Sequence, residues 1–337
     1  TLPAMADTPA ALDWLRQKQA PDGGFAGDFD EASSVGATVE AVFAIVAAGQ
    51  DPAAWTQGQN TPLTFLQTDA PGITLPGDLA KTVLAAVAAG ANPRDFGGVD
   101  LIAALEATFD AGSGLYGGLE GGSVFGQSLA VLALHATRQP IPAQAVEWLA
   151  GTQIEDGSWS WNGDTTPGAG DTNSAAIAVQ ALLAAGYSGP AIDNALAYFD
   201  ARQNEDGGFP YQKPSDFGTD TDANSTAYVA QALLAAGRDA SAALAALQTL
   251  QNPNGAFRWQ AALEADNFLA TTQAVAALSG NSFIGVTGTM DAGTAPVPAP
   301  AHLPQSGGAL FGWMWLLAAG LALLGGGAIT RRATRHL

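Results

Sequence analysis

Asp171–Gly186 reads DTNSAAIAVQALLAAG and Asp222–Gly237 reads DANSTAYVAQALLAAG, with 11 of 16 positions identical. Each stretch opens on Asp and Ser, whose side chains accept from the free N–H groups of a first helical turn. Each closes on Gly, which takes the left-handed conformation that ends a helix. Between these signals lie about four turns that are apolar nearly all round, the pattern of a buried helix. Looser copies end similarly at Ser34–Gly49, Leu75–Gly90, Ser123–Ala136 and Asp266–Gly280. Six copies spaced by roughly 40–50 residues indicate a repeat architecture.

A more amphipathic stretch precedes each apolar one: Pro9–Gln19, Pro62–Thr68, Asp100–Phe109, Pro142–Gln153, Pro190–Gln203 and Ala240–Gln251. Pro9, Pro62 and Pro190 stand where a first turn accepts proline. Six amphipathic and six apolar helices therefore alternate. An open superhelical solenoid needs polar capping repeats at both ends, and the apolar helices here are alike from first to last. Closing the hairpins into a ring removes the need for caps. The expected fold is all-α: an α/α toroid of twelve helices over residues 1–282, with an inner apolar barrel and an outer amphipathic one. The solenoid is the alternative.

A turn motif joins outer to inner helix. It reads Gln19-Ala-Pro-Asp22-Gly23-Gly24-Phe25, Gln153-Ile-Glu-Asp156-Gly157-Ser158-Trp159, Gln203-Asn-Glu-Asp206-Gly207-Gly208-Phe209 and Gln251-Asn-Pro-Asn254-Gly255-Ala256-Phe257. Asp-Gly or Asn-Gly supplies the positive φ that reverses the chain. The Gln amide can bond helix-end groups, and the ring packs back over the turn. Repeat three keeps a degenerate form at Gly112–Tyr116, and repeat two keeps little. The motif resembles the QW repeat of squalene–hopene cyclases and the related repeats of protein prenyltransferase β-subunits. That resemblance covers residues 1–282 and implies the α/α toroid; one fold hosts unrelated functions.

The chemistries of those families can be tried on these residues. The chain has no Cys, and its three His lie far apart, so prenyltransferase-type zinc binding through Asp, Cys and His has no ligand set. Complement-type thioesters, which also need Cys, are excluded. Squalene–hopene cyclases protonate an alkene with a DXDD motif. The nearest match is Asp220-Thr221-Asp222-Ala223, which keeps two of the three acids, so Asp220 and Asp222 are the catalytic candidates of a cyclase-like isomerase or lyase. The alternative role for Asp222 is helix capping with Ser225, as Asp171 pairs with Ser174. A third reading is a structural Ca2+ held by Asp216, Asp220, Asp222 and Asn224, since hard cations take oxygen ligands at alternate positions. No other cofactor is indicated. Trp159, Trp161, Tyr187, Tyr211 and Trp259 follow or flank the turns. They either line a ligand-binding barrel mouth or pack within the turns.

The remaining chain reads as an anchor. Gly285–His302 is rich in Gly, Thr, Pro and Ala, a semi-extended spacer within 283–306. Leu303-Pro304-Gln305-Ser306-Gly307 resembles the bacterial LPXTG sorting signal, with Ser306 in place of Thr; the resemblance implies sortase cleavage after Ser306 and linkage to the cell wall. Ala309–Ile329 is an uncharged apolar run of 21 residues, about 30 Å as a helix and enough to cross a bilayer. Arg331, Arg332 and Arg335 follow. Residues 307–337 are thus expected to span the membrane with a cytoplasmic tail, leaving residues 1–306 outside. A plain single-span tether is the alternative to sortase linkage. An outward-facing chain needs an export leader, which is expected to have been removed ahead of Thr1.

Charge agrees with an exported body. The chain has 12 Lys+Arg against 31 Asp+Glu. All the acids lie before residue 292, and three of the arginines belong to the tail. So acidic a body has no footprint for nucleic acid. The expected function is a cell-surface module of a bacterium, non-catalytic, binding a small molecule, glycan or protein at the barrel mouth. The alternative is the cyclase-like enzyme.

Overall fold

The computed structural model describes residues 7–215 and 218–286. The LPQSG pentapeptide, the apolar segment, the basic tail and Asp216 lie outside the described residues. Six helix pairs follow one another: α1 (Thr8–Lys18) with α2 (Val35–Ala47), α3 (Pro62–Asp69) with α4 (Pro76–Ala88), and α5 (Leu101–Glu106) with α7 (Val124–Ala136). Then come α8 (Ala143–Gly151) with α9 (Thr172–Ala184), α10 (Ala191–Arg202) with α11 (Ala223–Ala235), and α12 (Ser241–Gln248) with α13 (Phe268–Leu278). A single-turn α6 (Gly118–Gly121) precedes α7. Among the described residues no helix is long and apolar enough to cross a membrane.

The apolar helices form a closed inner ring. Helix α2 packs on α4, α4 on α7, α7 on α9, α9 on α11, α11 on α13, and α13 returns to α2. That last contact is absent from an open solenoid and selects the toroid. Alanine, fully buried, recurs seven positions after four of the inner caps, at Ala41, Ala130, Ala178 and Ala274, and lets adjacent backbones approach closely. The outer helices are shorter and bury one stripe each, such as Leu12 and Leu15 of α1 or Ala195 and Phe199 of α10. Helix α5 stops at Glu106, earlier than its periodicity suggests, because Phe109–Asp110 (β1) leaves to pair with Leu115–Tyr116 (β2). A second small hairpin joins β3 (Phe257–Arg258) to β4 (Asp266–Asn267).

The turn glutamine is what ties one repeat to the next. Gln19 Nε2 donates to Gly23 O of its own turn (3.0 Å) and to Trp55 O ahead of α3 (2.9 Å). Gln153 Nε2 donates to Gly157 O (2.9 Å) and to Ala191 O, the first residue of α10 (2.8 Å). Gln251 closes the ring in the same way, donating to Gly255 O (3.0 Å) and Asp7 O (2.9 Å) and accepting from Asp7 N (2.8 Å). The motif aromatics Phe25, Trp159, Phe209 and Phe257 are buried beneath these turns.

Repeat three lacks the turn glutamine, and an inner helix supplies it. Gln127 of α7 donates to Gly114 O (2.9 Å) and Ala145 O (3.1 Å), and its Oε1 accepts from Tyr116 N (3.0 Å). At the corresponding position of other inner helices Thr38, Thr226 and Thr271 accept from the N–H of Phe25, Phe209 and Phe257.

Residues 283–286, expected to begin the spacer, instead belong to the folded body. The short helical turn Phe283–Gly285 sits against α7, α9 and α11. Phe283 meets Phe43 edge-on at 5.3 Å and stacks on Tyr228 at 6.2 Å, and its N–H donates to Gln180 Oε1 at 2.9 Å.

Candidate functional site

The N-terminal ends of the inner helices make one rim of the toroid. Five are capped by a side chain: Ser34, Ser123, Asp171, Asp222 and Asn267. In three of them, α7, α9 and α11, the next N–H reaches across to the following repeat. Val124 N donates to Trp161 O, Thr172 N to Tyr211 O, and Ala223 N to Trp259 O, at 2.8, 2.9 and 2.8 Å. Trp161, Tyr211 and Trp259 each lie two residues past the buried motif aromatic, so successive repeats set three partly exposed rings at equivalent places on the rim. Where the ring closes, Asp28 takes over, its carboxylate accepting from Phe268 N at 2.6 Å.

Two carboxylates lie buried in this rim. Asp171 accepts from Ser174 N (2.7 Å) and Ser174 Oγ (2.8 Å), and also from the Tyr211 hydroxyl and Asn173 N. Asp222 accepts from Ser225 N (2.7 Å) and Ser225 Oγ (2.8 Å), and also from Tyr211 N and the Trp259 indole. Burial raises both from 3.8 to about 6, and the donors partly offset it. The Asp171 charge, with burial, pushes the Tyr211 hydroxyl well above its ordinary value. Four donors around each carboxylate occupy its lone pairs with the fold itself.

The capping role weighed for Asp222 is therefore present, and the acidic residues do not gather as one set. Asp220 is exposed on the loop. Asn224 turns its amide into the ring, donating to Gln273 Oε1 at 2.9 Å. Asp222 has its oxygens filled by N–H and O–H donors, so Asp220, Asp222 and Asn224 do not converge on one cation. Among the described residues no group of three acidic or imidazole side chains has metal-holding geometry. Of the aromatic candidates, Trp159 is core, its indole donating to Leu149 O at 2.7 Å. Tyr187 follows the C-terminal end of α9, across the toroid from Trp161, Tyr211 and Trp259.

Inside the ring, one stripe of each inner helix faces the lumen. It contains the residues two, six and nine positions after the cap, which fall on one helical face. The sixth position holds Glu40, Lys81, Tyr228 and Gln273. Lys81 Nζ donates to Glu40 in a buried ion pair. Gln273 Nε2 also reaches Glu40 Oε1 at 3.5 Å, and Asn224 bonds Gln273. A polar chain thus runs through α4, α2, α13 and α11. Phe125 of α7 meets the Tyr228 ring at 5.6 Å across α9. Burial and the Glu40 charge hold the Tyr228 hydroxyl well above its ordinary value. Sequence reading called these helices apolar nearly all round and missed this stripe. The signal was available: Glu40, Lys81 and Gln273 occupy the same place in three repeats.

Two families match parts of the chain. Residues 4–68 match the prenyltransferase alpha-alpha toroid domain, and residues 118–268 match the squalene-hopene cyclase C-terminal domain. No curated protein sequence matches the chain. Among solved structures it is similar to the apo type II terpene cyclase MstE from Scytonema, with TM-score 0.57 and 17% identity over 81% of this chain and 96% of that one. It is also similar to the GH76A alpha-1,6-mannanase of Salegentibacter sp. HEL1_6, with TM-score 0.58 and 10% identity over 81% and 98%. An unsaturated glucuronyl hydrolase specific for heparin gives TM-score 0.59 and 13% identity over 81% and 94%. At these identities the likeness is one of fold. The folded body is an α/α toroid of the terpene cyclase and prenyltransferase superfamily.

Proposed function

We propose that the toroid is a non-catalytic binding module held on the outer face of a bacterial cell envelope, taking its ligand or partner at the rim that carries Trp161, Tyr211 and Trp259. The observation that carries this reading is the state of the rim acids. Asp171 and Asp222 are each wrapped by four donors, and each caps a helix. An acid that protonates an alkene must present its proton to the substrate; here the carboxylate oxygens point at the fold. Tyr211 and Trp259 each also lend the rim a side-chain donor, the Tyr211 hydroxyl to Asp171 and the Trp259 indole to Asp222, whereas the rim takes only the backbone carbonyl of Trp161, which leaves the Trp161 ring to serve a ligand. The outward location rests on the apolar segment and the closing arginines of residues 307–337.

The test is native mass spectrometry of the protein released from its host envelope. A non-covalent adduct that disappears in Trp161→Ala supports the reading. Bare protein, or an adduct indifferent to that change, refutes it. The second reading is a cyclase-like enzyme using Asp222, favoured by its carboxyl being raised to about 6 and by the match over residues 118–268. Solved toroids of this fold include MstE_D109N in complex with geranylgeranyl dihydroxybenzoate and a mannanase variant in complex with alpha-1,6-mannotriose, so the fold itself does not choose between an isoprenoid and a sugar.

A further inference from the structure

We infer that the rim is a docking face for a basic polypeptide carrying apolar side chains. This deepens the binding reading and rests on it. Three large apolar side chains stand exposed among the described residues: Phe29 at 66%, Leu119 at 83% and Tyr211 at 40%. Single exposed apolar residues are ordinary on a protein surface. These three share one face, because each lies in a segment that leads into an inner helix. They belong to the first, third and fifth repeats, so they stand evenly about the mouth, with the half-buried Trp161 and Trp259 between them. The fold holds them there. Asp28 accepts from Phe268 N, and Asp30 Oδ2 accepts from Gly27 N (3.1 Å) and Ser34 Oγ (3.0 Å), so the loop is fixed on both sides of Phe29. Leu119 sits on α6, a single turn between Gly117 and Gly122. The Tyr211 hydroxyl is tied to Asp171. A face already ordered loses little freedom on binding.

Charge and distance select the occupant. The same segments carry Asp30, Glu31, Asp164, Asp220, Glu264 and Asp266, all exposed. Their only cations among the described residues are Lys213, which donates to Asn204 Oδ1 (3.0 Å), and the half-buried Arg258. The ion pairs of the described residues join Lys81 to Glu40, Arg94 to Asp100 and Arg202 to Asp156, and engage none of these acids. An acidic rim repels a second copy of itself and attracts Lys and Arg. Packed helices lie about 8–10 Å apart, so alternate corners of the six-helix ring are about 15 Å apart or more. That is beyond the span of one amino acid or one sugar unit, and about five residues of extended chain bridge it. The described chain leaves the rim uncovered. After α13 it turns in at the opposite end of the ring, where Asn281 Nδ2 donates to Ala47 O and Phe283 packs on Phe43.

The experiment titrates the full chain in detergent micelles, against a micelle blank, into three labelled peptides of equal length and reads fluorescence anisotropy. One alternates Lys and Trp, one Lys and Ser, one Glu and Trp. The Lys-Trp peptide is expected to bind at least tenfold more tightly than either other, and to lose tenfold or more in high salt. Phe29→Ser combined with Leu119→Ser is expected to weaken it fivefold or more. Glu31→Gln combined with Glu264→Gln is expected to weaken it and flatten its salt dependence. Melting stays unchanged in both, since all four side chains are exposed. Asp95→Asn, exposed beyond the C-terminal end of α4, is the control and leaves binding as it is. Equal binding of the Lys-Ser or the Glu-Trp peptide overturns the proposal, and so does binding indifferent to Phe29→Ser with Leu119→Ser. No peptide binding, with a small-molecule adduct of the envelope-derived protein lost in Trp161→Ala, overturns the partner class alone and leaves the rim reading standing. Neither peptide nor adduct overturns both.

Discussion

Gln127→Leu is the substitution that best probes how this ring is joined. Leu has nearly the volume of Gln and suits a buried helix, so the change isolates hydrogen bonding. The Gln127 side chain is fully buried and makes three bonds to backbone, with Tyr116 N, Gly114 O and Ala145 O. Leaving each of these three backbone groups without its partner costs about 1–3 kcal/mol, the lost bond included. Burying an apolar side chain in place of the amide returns about 1–2 kcal/mol. The expected net loss is about 4 kcal/mol, read as a shift of the urea midpoint with unchanged slope. Gln17→Ala, whose amide only bonds Asp13 O on an exposed face, is the control and should stay within about 0.5 kcal/mol. A Gln127→Leu loss below about 1 kcal/mol would refute the view that this side chain replaces the turn glutamine of repeat three.

Other expectations follow from the same geometry. Asp222 holds its proton more tightly folded than unfolded, since burial lifts it from 3.8 to about 6; its contribution is full below about pH 4 and is lost as pH rises through about 6. Asp222→Asn keeps the cap and removes this titration, so the fall in stability between those pH values should shrink by about 2–3 kcal/mol in paired melts; an unchanged slope contradicts it. Gly157 has φ 91 and a Cβ there would collide with Asn194 O, whereas Gly49 has φ 75 and open space. Gly157→Ala should therefore cost about 3 kcal/mol or more and Gly49→Ala about 1 kcal/mol, and equal costs would deny the close approach of turn and outer helix. Trp159→Ala empties a core site and should cost about 4 kcal/mol, while Trp161→Ala should cost about 1 kcal/mol; the reverse order in chemical denaturation would overturn the division between core and rim rings.

The fold was legible because its signals are local and repeated. Asp171 and Asp222 before apolar runs, Gly186 and Gly237 after them, and the Gln-to-aromatic turns together specify hairpins, and the sameness of first and last inner helices points to closure. What joins one hairpin to the next was harder to read. Gln153 bonds Ala191 across 38 residues, and no local pattern announces such a partner. Gln127 does the same work from a different element, which a motif search in repeat three passes over. The lumen was missed for a related reason: averaged over a helix, one Glu or Gln among Ala and Leu hardly changes the apolar impression, although its place relative to the cap puts it on the inner face. The aromatic candidates all stand beside turns in the sequence, but spacing alone does not separate Trp159, which points into the core, from Trp161 two residues on.

The central claim is that the rim acids serve the fold and the toroid binds without transforming its ligand. Its most direct test is to incubate the protein with linear polyprenyl substrates and analyse the recovered lipid by gas chromatography and mass spectrometry. The account expects the same unchanged polyene from the native protein and from Asp222→Asn; a cyclised product formed by the native protein and lost in Asp222→Asn would contradict it.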